Sequence, residues 1–137
     1  MTTPEIPVAG LPRSEVVSNW NAPRSGGRRH QGVDLFAARG TSVISATGGR
    51  VWKVGDDSLG GQVVTVLGDG PAFYYYAHLD TFAEGLAAGQ RIRRGARLGT
   101  VGNTGNARTT PPHLHFGVYR VGLWRTRAVD PVPLLLK

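Results

Sequence analysis

The four histidines of this 137-residue sequence are the residues whose type and spacing point most clearly to chemistry. His30 stands in the segment HQGVD, His78 stands in YAHL, and His113 and His115 stand in HLH. The sequence contains no cysteine, so a metal ion would have to be held by histidine, aspartate or glutamate. A single histidine is more often a structural residue than a ligand. Together, the four indicate a metal site.

Two spacings would bring metal-binding atoms close together. His30 and Asp34 are four residues apart, so on an extended chain they share a side at about 13 Å, and a bend at Gly32 would bring them together. His113 and His115 are two residues apart and would share one face of a strand, about 6.6 Å from each other. The spacing alone does not select three ligands, because either or both of the HLH histidines satisfy it.

Zinc suits such a set of nitrogen and oxygen atoms. A catalytic zinc ion commonly has three His or carboxylate ligands and one open position for water, whose pKa then falls to about 7. A histidine left over beside the metal could accept a proton from that water or donate a hydrogen bond to the oxyanion of a tetrahedral intermediate. The pattern therefore predicts hydrolysis assisted by a metal ion.

The elements that must position these residues are predicted to be β-strands. Twenty glycines and nine prolines interrupt the chain too often for long helices. The segment from His113 alternates His, His, Gly and Tyr on one face with Leu, Phe and Val on the other. Similar alternation and turn residues predict strands at residues 42–46, 50–54, 62–67, 73–79, 90–92, 97–101 and 113–119, with one short helical turn within 81–88.

The length of the chain predicts one domain, because two halves would each be too small to bury a useful core. Residues 1–20 contain three prolines and no sustained periodicity, so we expect an extended leader there. Residues 21–137 are expected to form the single domain. No stretch reaches the 18 apolar residues of a transmembrane helix, and the opening residues lack the pattern of a signal peptide.

The charge of the chain is strongly positive. Sixteen Lys and Arg against nine Asp and Glu give a net charge of +7, which favours polyanions such as nucleic acid, anionic lipid or the teichoic acids of a cell wall. The arginines are scattered, and no RNA-binding aromatic motif accompanies them. Obligatory binding to nucleic acid is therefore not predicted. A basic nucleic-acid binder remains an alternative that salt-dependent affinity for DNA would support.

The order of the motifs resembles that of the lysostaphin-type, LytM-like zinc metalloendopeptidases of peptidoglycan. The matching segments are HQGVD from His30, GTSVISATGGRV from Gly40, YYAHL from Tyr75, GQRIRRGARLGTVGNTG from Gly89 and PHLHFGV from Pro112. Each motif alone is weak, whereas H-x-x-x-D and H-x-H in this order, with Y-x-H-L and G-N-T-G between them, are specific. The resemblance covers about residues 21–133.

This resemblance implies a fold, a site and an activity. The fold is all-β, a two-layer antiparallel β-sandwich with an open groove. The Zn2+ ligands are His30, Asp34 and His115, and the catalytic pair is His113 and His78. The implied substrate is the peptide of peptidoglycan, cut in its cross-links or stem peptides, which places the protein outside the cytoplasm, in the periplasm, in the wall or secreted.

Contacts to the substrate are predicted at three further residues. Asn103 and Thr104 lie on the loop that approaches HLH, and Tyr76 precedes His78 in YAHL. The family commonly has a Phe-Gly-x-Arg turn before the first ligand, whereas this chain has Arg24 there without the aromatic residue. That difference concerns substrate contacts at the rim of the site and leaves the metal ligands unaffected.

Two other classes of function compete with catalysis. Some relatives have lost activity and bind wall peptide or activate a partner amidase, but these usually lack ligands, and this chain retains all five site residues. The segment from Gly89 also resembles half of a biotinyl or lipoyl carrier module. It has no lysine at a hairpin tip, which argues against a carrier.

Overall fold

The computed structural model describes residues 4–20 and 30–136, and its regular structure there is almost entirely antiparallel β-sheet. The strands are β1 (Val33–Phe36), β2 (Ser42–Ile44), β3 (Gly49–Asp57), β4 (Gly61–Gly68), β5 (Ala72–Phe82), β6 (Arg91–Ile92), β7 (Arg97–Val101), β8 (His113–Val121) and β9 (Thr126–Val129). The described residues also form two short 3-10 helices, Arg13–Glu15 and Gly105–Ala107, and one α-helix, α1 (Val132–Leu135). Within these ranges no helix is both long and apolar enough to cross a membrane.

The sheet has a main path and a side branch. The main path runs β1-β8-β5-β4-β3-β6, with β9 added beside β8. The branch leaves β5 through β7, which also pairs with β2. His115 of β8 lies opposite Asp34 of β1 on one side and opposite Ala77 of β5 on the other. The candidate site therefore lies across the three strands β1, β8 and β5.

One hydrophobic core joins the main path to the branch. Tyr76 and Phe116 of the main path and Val43 and Leu98 of the branch are buried in the same cluster of apolar side chains. Alternation explains this arrangement, because every second residue of a strand points to the same face. The opposite faces of β5 and β8 are left for the candidate site. The prediction of an all-β, antiparallel fold is confirmed.

The predicted strands correspond to β2 to β8, with ends that differ by up to three residues. The helical turn predicted within residues 81–88 is wrong. Strand β5 continues to Phe82, and Gly85 and Gly89 then adopt positive φ angles of 76° and 89° in two successive turns. The four-residue elements β1, β9 and α1 were not predicted as regular structure, because each is too short to show a period.

The segment that precedes the gap in the described residues packs against β2. The backbone N–H of Glu5 donates to the carbonyl of Ala46 at 3.0 Å, and Val8 forms an isolated bridge with Val43. Val8 and Val16 are both buried. Residues 4–20 thus contribute to the core as well as lying across it.

Candidate active site

Three side chains from β1, β8 and the bend before β1 converge on one point. His30 Nε2 lies 3.1 Å from Asp34 Oδ1 and 3.1 Å from His115 Nδ1, and His115 Nδ1 lies 3.2 Å from Asp34 Oδ1. The chain bends at Gly32 as predicted. A Cβ atom at Gly32 would lie 2.5 Å from the carbonyl oxygen of Phe116 and 2.9 Å from the ring of His115, so only glycine fits there.

The geometry of these three atoms fits a metal ion. A tetrahedral zinc ion bound at about 2.0–2.1 Å holds its ligand atoms roughly 3.3–3.4 Å apart. The observed separations of 3.1–3.2 Å are close to that value. His30, Asp34 and His115 also form a group of metal-ligand type whose atoms all lie within 4.8 Å of one another. Two imidazoles and a carboxylate could therefore hold a metal ion here.

Asn19 supports two members of this group, and no motif in the sequence marks it. Its backbone carbonyl accepts a hydrogen bond from His30 Nδ1 at 3.1 Å, and Nε2 of the same ring faces Asp34 Oδ1 and His115 Nδ1. Its side-chain amide donates to Asp34 Oδ2 at 3.2 Å. Such outer contacts orient metal ligands and raise their affinity for metal.

The other two histidines line the groove beside these donors. In β5, Ala77 and His78 together lie opposite Val63 of β4, which is a β-bulge, and His78 has a positive φ of 66°. His78 Nδ1 donates to the carbonyl of Thr104 at 2.8 Å. The rings of His78 and His113 have centroids 5.0 Å apart.

His113 belongs to the same face of β8 as His115 but is held differently. Its Nδ1 donates to the carbonyl of Pro111 at 3.0 Å, and its Nε2 lies 3.8 Å from Asp34 Oδ1. Since the Nδ1 proton of each ring is engaged by a backbone carbonyl, Nε2 of both His78 and His113 carries the lone pair when the ring is neutral.

Burial and hydrogen bonding set the charge states of the site. Burial alone would raise the pKa of Asp34, but its hydrogen bonds with His115 and His30 outweigh that effect and hold the pKa well below its usual range. Burial lowers the pKa of His78 to about 4, and the Thr104 carbonyl opposes this only in part. Burial also lowers the pKa of His115. At neutral pH Asp34 is therefore a carboxylate, and His78 and His115 are neutral imidazoles, the forms that bind metal and accept protons.

An open groove of about 960 Å³ passes over these residues. Its other lining residues are Gln31, Phe36, Leu59, Gly60, Tyr75, Ala77, Asn106, Ala107, Thr110, Pro111 and Tyr119. The ring of Tyr75 meets that of His115 edge-on at 6.0 Å, and its hydroxyl donates to Asp57 Oδ2 at 2.9 Å. Burial and the neighbouring Asp57 raise the pKa of Tyr75, so its hydroxyl remains protonated.

The prediction that Tyr76 contacts substrate is wrong. Tyr76 is fully buried in the core, and its hydroxyl accepts a hydrogen bond from the backbone N–H of Ala46 at 2.9 Å. In a regular strand Tyr76 and His78 would share a face, but the bulge at Ala77 and His78 reverses the alternation. Tyr75 consequently lies on the groove face with His78.

Neither Asn103 nor Thr104 is among the residues that line the groove. Asn103 accepts a hydrogen bond from the guanidinium of Arg39 and donates to the carbonyl of Arg108 at 3.4 Å. The hydroxyl of Thr104 is engaged by the backbone of β4 and β5. The segment with Arg24, which lacks the aromatic residue common in the family, lies outside the described residues.

The sequence is similar to those of known proteins over most of its length. The sequence model of Peptidase family M23 matches residues 28–131. The L-Ala--D-Glu endopeptidase of Bacillus subtilis is 37% identical over 125 residues, which cover 86% of this chain and 38% of that protein. The murein hydrolase activator NlpD of Salmonella typhimurium is 26% identical over 122 residues, 88% of this chain and 29% of that protein.

The fold also matches a solved structure along most of both chains. The catalytic domain of the antimicrobial peptidase lysostaphin from Staphylococcus simulans superposes with a TM-score of 0.78 at 26% identity, and the match covers 91% of this chain and 96% of that one. The chain spans about two fifths of the length of the Bacillus relative and less of NlpD. The family match covers most of the chain and includes all the histidines of the site, so the chain belongs to peptidase family M23.

Proposed function

We propose that this chain is a zinc-dependent endopeptidase that hydrolyses peptide bonds in the cross-links or stem peptides of peptidoglycan. The observation that carries the proposal is the meeting, in one open groove, of three metal-ligand atoms 3.1–3.2 Å apart with two further histidines. Membership of family M23 and the likeness to an L-Ala--D-Glu endopeptidase support the same chemistry.

The proposed metal ligands are His30 through Nε2, Asp34 through Oδ1 and His115 through Nδ1. These donor types suit zinc, and three protein ligands are the number usual for a catalytic site. When bound, the ion supplies a Lewis acid that polarises the peptide carbonyl and lowers the pKa of a coordinated water. The hydrogen bonds of Asn19 hold the side chains of His30 and Asp34 in the orientation that this role requires.

His78 and His113 are the proposed catalytic pair. Each donates its Nδ1 proton to a backbone carbonyl, so Nε2 of the neutral ring is ready to accept a proton from the attacking water. Once protonated, the same nitrogen becomes a donor that can stabilise the oxyanion or protonate the leaving amine. The burial that disfavours the charged form of His78 favours the return of that proton.

The proposed substrate is a peptide of the wall, bound along the open groove, and the proposed location is outside the cytoplasm. The open groove has room for an extended peptide. The net charge of +7 attracts the protein to the anionic polymers that accompany peptidoglycan.

The second candidate function is activation of a wall amidase without hydrolysis, and the 26% identity with NlpD favours it. The site argues against it, because all five residues proposed for catalysis are present and each of them makes a contact that fits its role. A protein that bound wall peptide without cutting it would need neither the three metal-ligand atoms nor the two oriented histidines.

The test is digestion of purified sacculi of different cross-link chemistry by the metal-loaded protein, followed by mass spectrometry of the products. We expect one zinc ion per chain, loss of cleavage on treatment with a chelator and recovery when zinc is returned. The Asp34→Ala variant is the matched control that should neither retain the metal nor cut. Hydrolysis that persisted after complete metal removal, or a well-folded protein that bound no zinc in excess metal, would contradict the proposal.

A further inference from the structure

The β-bulge that carries His78 is closed by a residue from a different part of the chain, Thr104. Gln62 and Leu79 lie opposite each other at the edge of the bulge. The hydroxyl of Thr104 stands between them, accepting a hydrogen bond from the N–H of Gln62 at 3.0 Å and donating to the carbonyl of Leu79 at 2.8 Å. Thr104 thus joins β4 and β5 where the bulge disturbs their direct pairing.

The backbone of the same residue holds the ring of His78. The Thr104 carbonyl accepts the Nδ1 proton of His78 at 2.8 Å. A carbonyl oxygen can only accept, so this contact requires the tautomer with the proton on Nδ1 and the lone pair on Nε2. One residue therefore both joins the two strands at the bulge and supplies the oxygen that selects the tautomer of His78.

The backbone of His78 is held separately, by the turn between β3 and β4. Its N–H donates to the carbonyl of Gly60 at 2.7 Å, and the N–H of Gly60 is in turn held by the carboxylate of Asp57. With the backbone secured by this turn, loss of the Thr104 hydroxyl would release the ring more than the strand. The positive φ of His78, 66°, costs free energy for a residue with a side chain and is maintained by these surroundings.

We infer that Thr104 is a positioning residue for proton transfer by His78 and makes no contact with the substrate. This inference rests on the proposed function, in which His78 Nε2 exchanges a proton in the groove. Replacing Thr104 by valine keeps its shape but leaves the Gln62 N–H and the Leu79 carbonyl without this partner, so the loop must shift to satisfy them. The carbonyl that orients His78 shifts with the loop.

The kinetic test compares Thr104→Val, Thr104→Ser and the control Thr41→Val in the zinc-loaded chain. Thr41 is a suitable control because its hydroxyl also donates to a backbone carbonyl, that of Ala38 at 2.7 Å, in an exposed turn. We expect kcat to fall about tenfold or more in Thr104→Val, a part of the roughly 10²–10⁴-fold that a positioned acid or base contributes. KM and zinc content should stay unchanged, serine should restore most of kcat, and Thr41→Val should equal the wild type.

A second measurement reads the tautomer directly and needs no turnover. Nitrogen NMR of the wild-type imidazoles should show His78 protonated on Nδ1, and Thr104→Val should lose that signature while Thr104→Ser keeps it. A wild-type His78 protonated on Nε2 would overturn the inference even if the protein is an active peptidase. The Nδ1 signature in a chain that cuts nothing would instead leave the positioning intact and refute the proposed function.

Two kinetic outcomes would also overturn the inference. A raised KM with unchanged kcat in Thr104→Val would make Thr104 a substrate contact, as the sequence alone predicted. Wild-type kcat together with a wild-type His78 spectrum in that variant would show that the hydroxyl has no influence on the ring. Should Thr104→Val fail to fold, the wild-type tautomer still tests the inference, because His78 protonated on Nε2 would overturn it.

Discussion

His113 and His115 lie on one face of the same strand, yet only one of them reaches the group of metal donors. The register of β1 against β8 explains the difference, since Asp34 lies opposite His115 whereas Phe36 lies opposite His113. His115 Nδ1 is 3.2 Å from Asp34 Oδ1, and His113 Nε2 is 3.8 Å from it. The spacing of the two histidines in the sequence is compatible with either of them as a metal ligand. The strand register that distinguishes them is set only when β1 pairs with β8 in the sheet.

We therefore predict different results for alanine at these two positions. His115→Ala should lose zinc and activity together. His113→Ala should keep close to one zinc ion per chain and lose roughly 100-fold or more in kcat, because a positioned acid or base contributes about 10²–10⁴-fold. Metal analysis and kinetics on the same preparations distinguish the two. Equal loss of zinc in both variants would show that the ligand assignment is wrong.

A second prediction concerns Asn19, which contacts two of the proposed ligands. Asn19→Ala removes the amide that donates to Asp34 Oδ2 but keeps the backbone carbonyl that orients His30. We expect the affinity for zinc to fall about tenfold, the lower end of the effect of losing such an outer contact. Competition with a chelator of known affinity measures it. Ser18→Ala is the control, because the Ser18 hydroxyl donates to Asp130 Oδ2 at 3.2 Å in an exposed hydrogen bond. Equal zinc affinities in both variants would refute the role of Asn19.

At the scale of elements, the alternation of apolar residues was enough to locate the long strands but not the bulge in β5. The segment from Tyr74 to Leu79 contains no glycine to mark a positive φ, and regular alternation put Tyr76 on the face of His78. The bulge depends on Thr104 and Gly60, which come from other parts of the chain and satisfy its backbone. A contact between distant segments leaves no local pattern, and the same reason explains why Asn19 was missed.

The junction between the β3–β4 turn and the loop of Thr104 supplies a third prediction. Gly61 has φ 68°, and a Cβ there would lie 2.4 Å from the backbone of Thr104 and Gly105. Gly95 has φ 85° with nothing within 4 Å of such an atom. Gly95→Ala should cost about 1–2 kcal/mol of unfolding free energy from the strained φ alone. Gly61→Ala should cost roughly 1–3 kcal/mol more, because backbone must move.

Denaturant unfolding of the two glycine variants measures that difference. Gly61→Ala should also lower kcat, because the backbone that must move includes the carbonyl that orients His78, whereas Gly95→Ala should leave kcat unchanged. Equal unfolding free energies for the two variants would show that the backbone at this junction moves with no loss of stability. The loop of Thr104 would then not be held against the β3–β4 turn.

At the scale of the whole molecule, the site and the core are two faces of the same strands. Tyr74 and Tyr76 of β5 pack into the core, while Tyr75 and His78 line the groove. Titratable side chains on the groove face of the sheet are partly buried. The stability of the fold therefore depends on pH, because the folded state favours one charge form of each group. The exposed ion pairs Arg39–Asp80 and Arg94–Glu5 contribute little by comparison, since water screens them.

Acid should therefore destabilise the whole molecule, beginning with His78. Its pKa is about 4 in the folded chain against an ordinary 6.5, so the unfolded chain binds the proton more readily, and the stabilisation present above pH 6.5 is lost as the pH falls towards 4. The contribution of Asp34 to stability depends on pH with the same sign. It is complete above the ordinary aspartate pKa of 3.8 and is lost in stronger acid. Calorimetry at constant ionic strength should show Tm falling steadily from pH 7 to pH 4, and falling less in His78→Gln. A Tm at pH 4 equal to that at pH 7, or equal slopes in both proteins, would contradict this account of the buried imidazole.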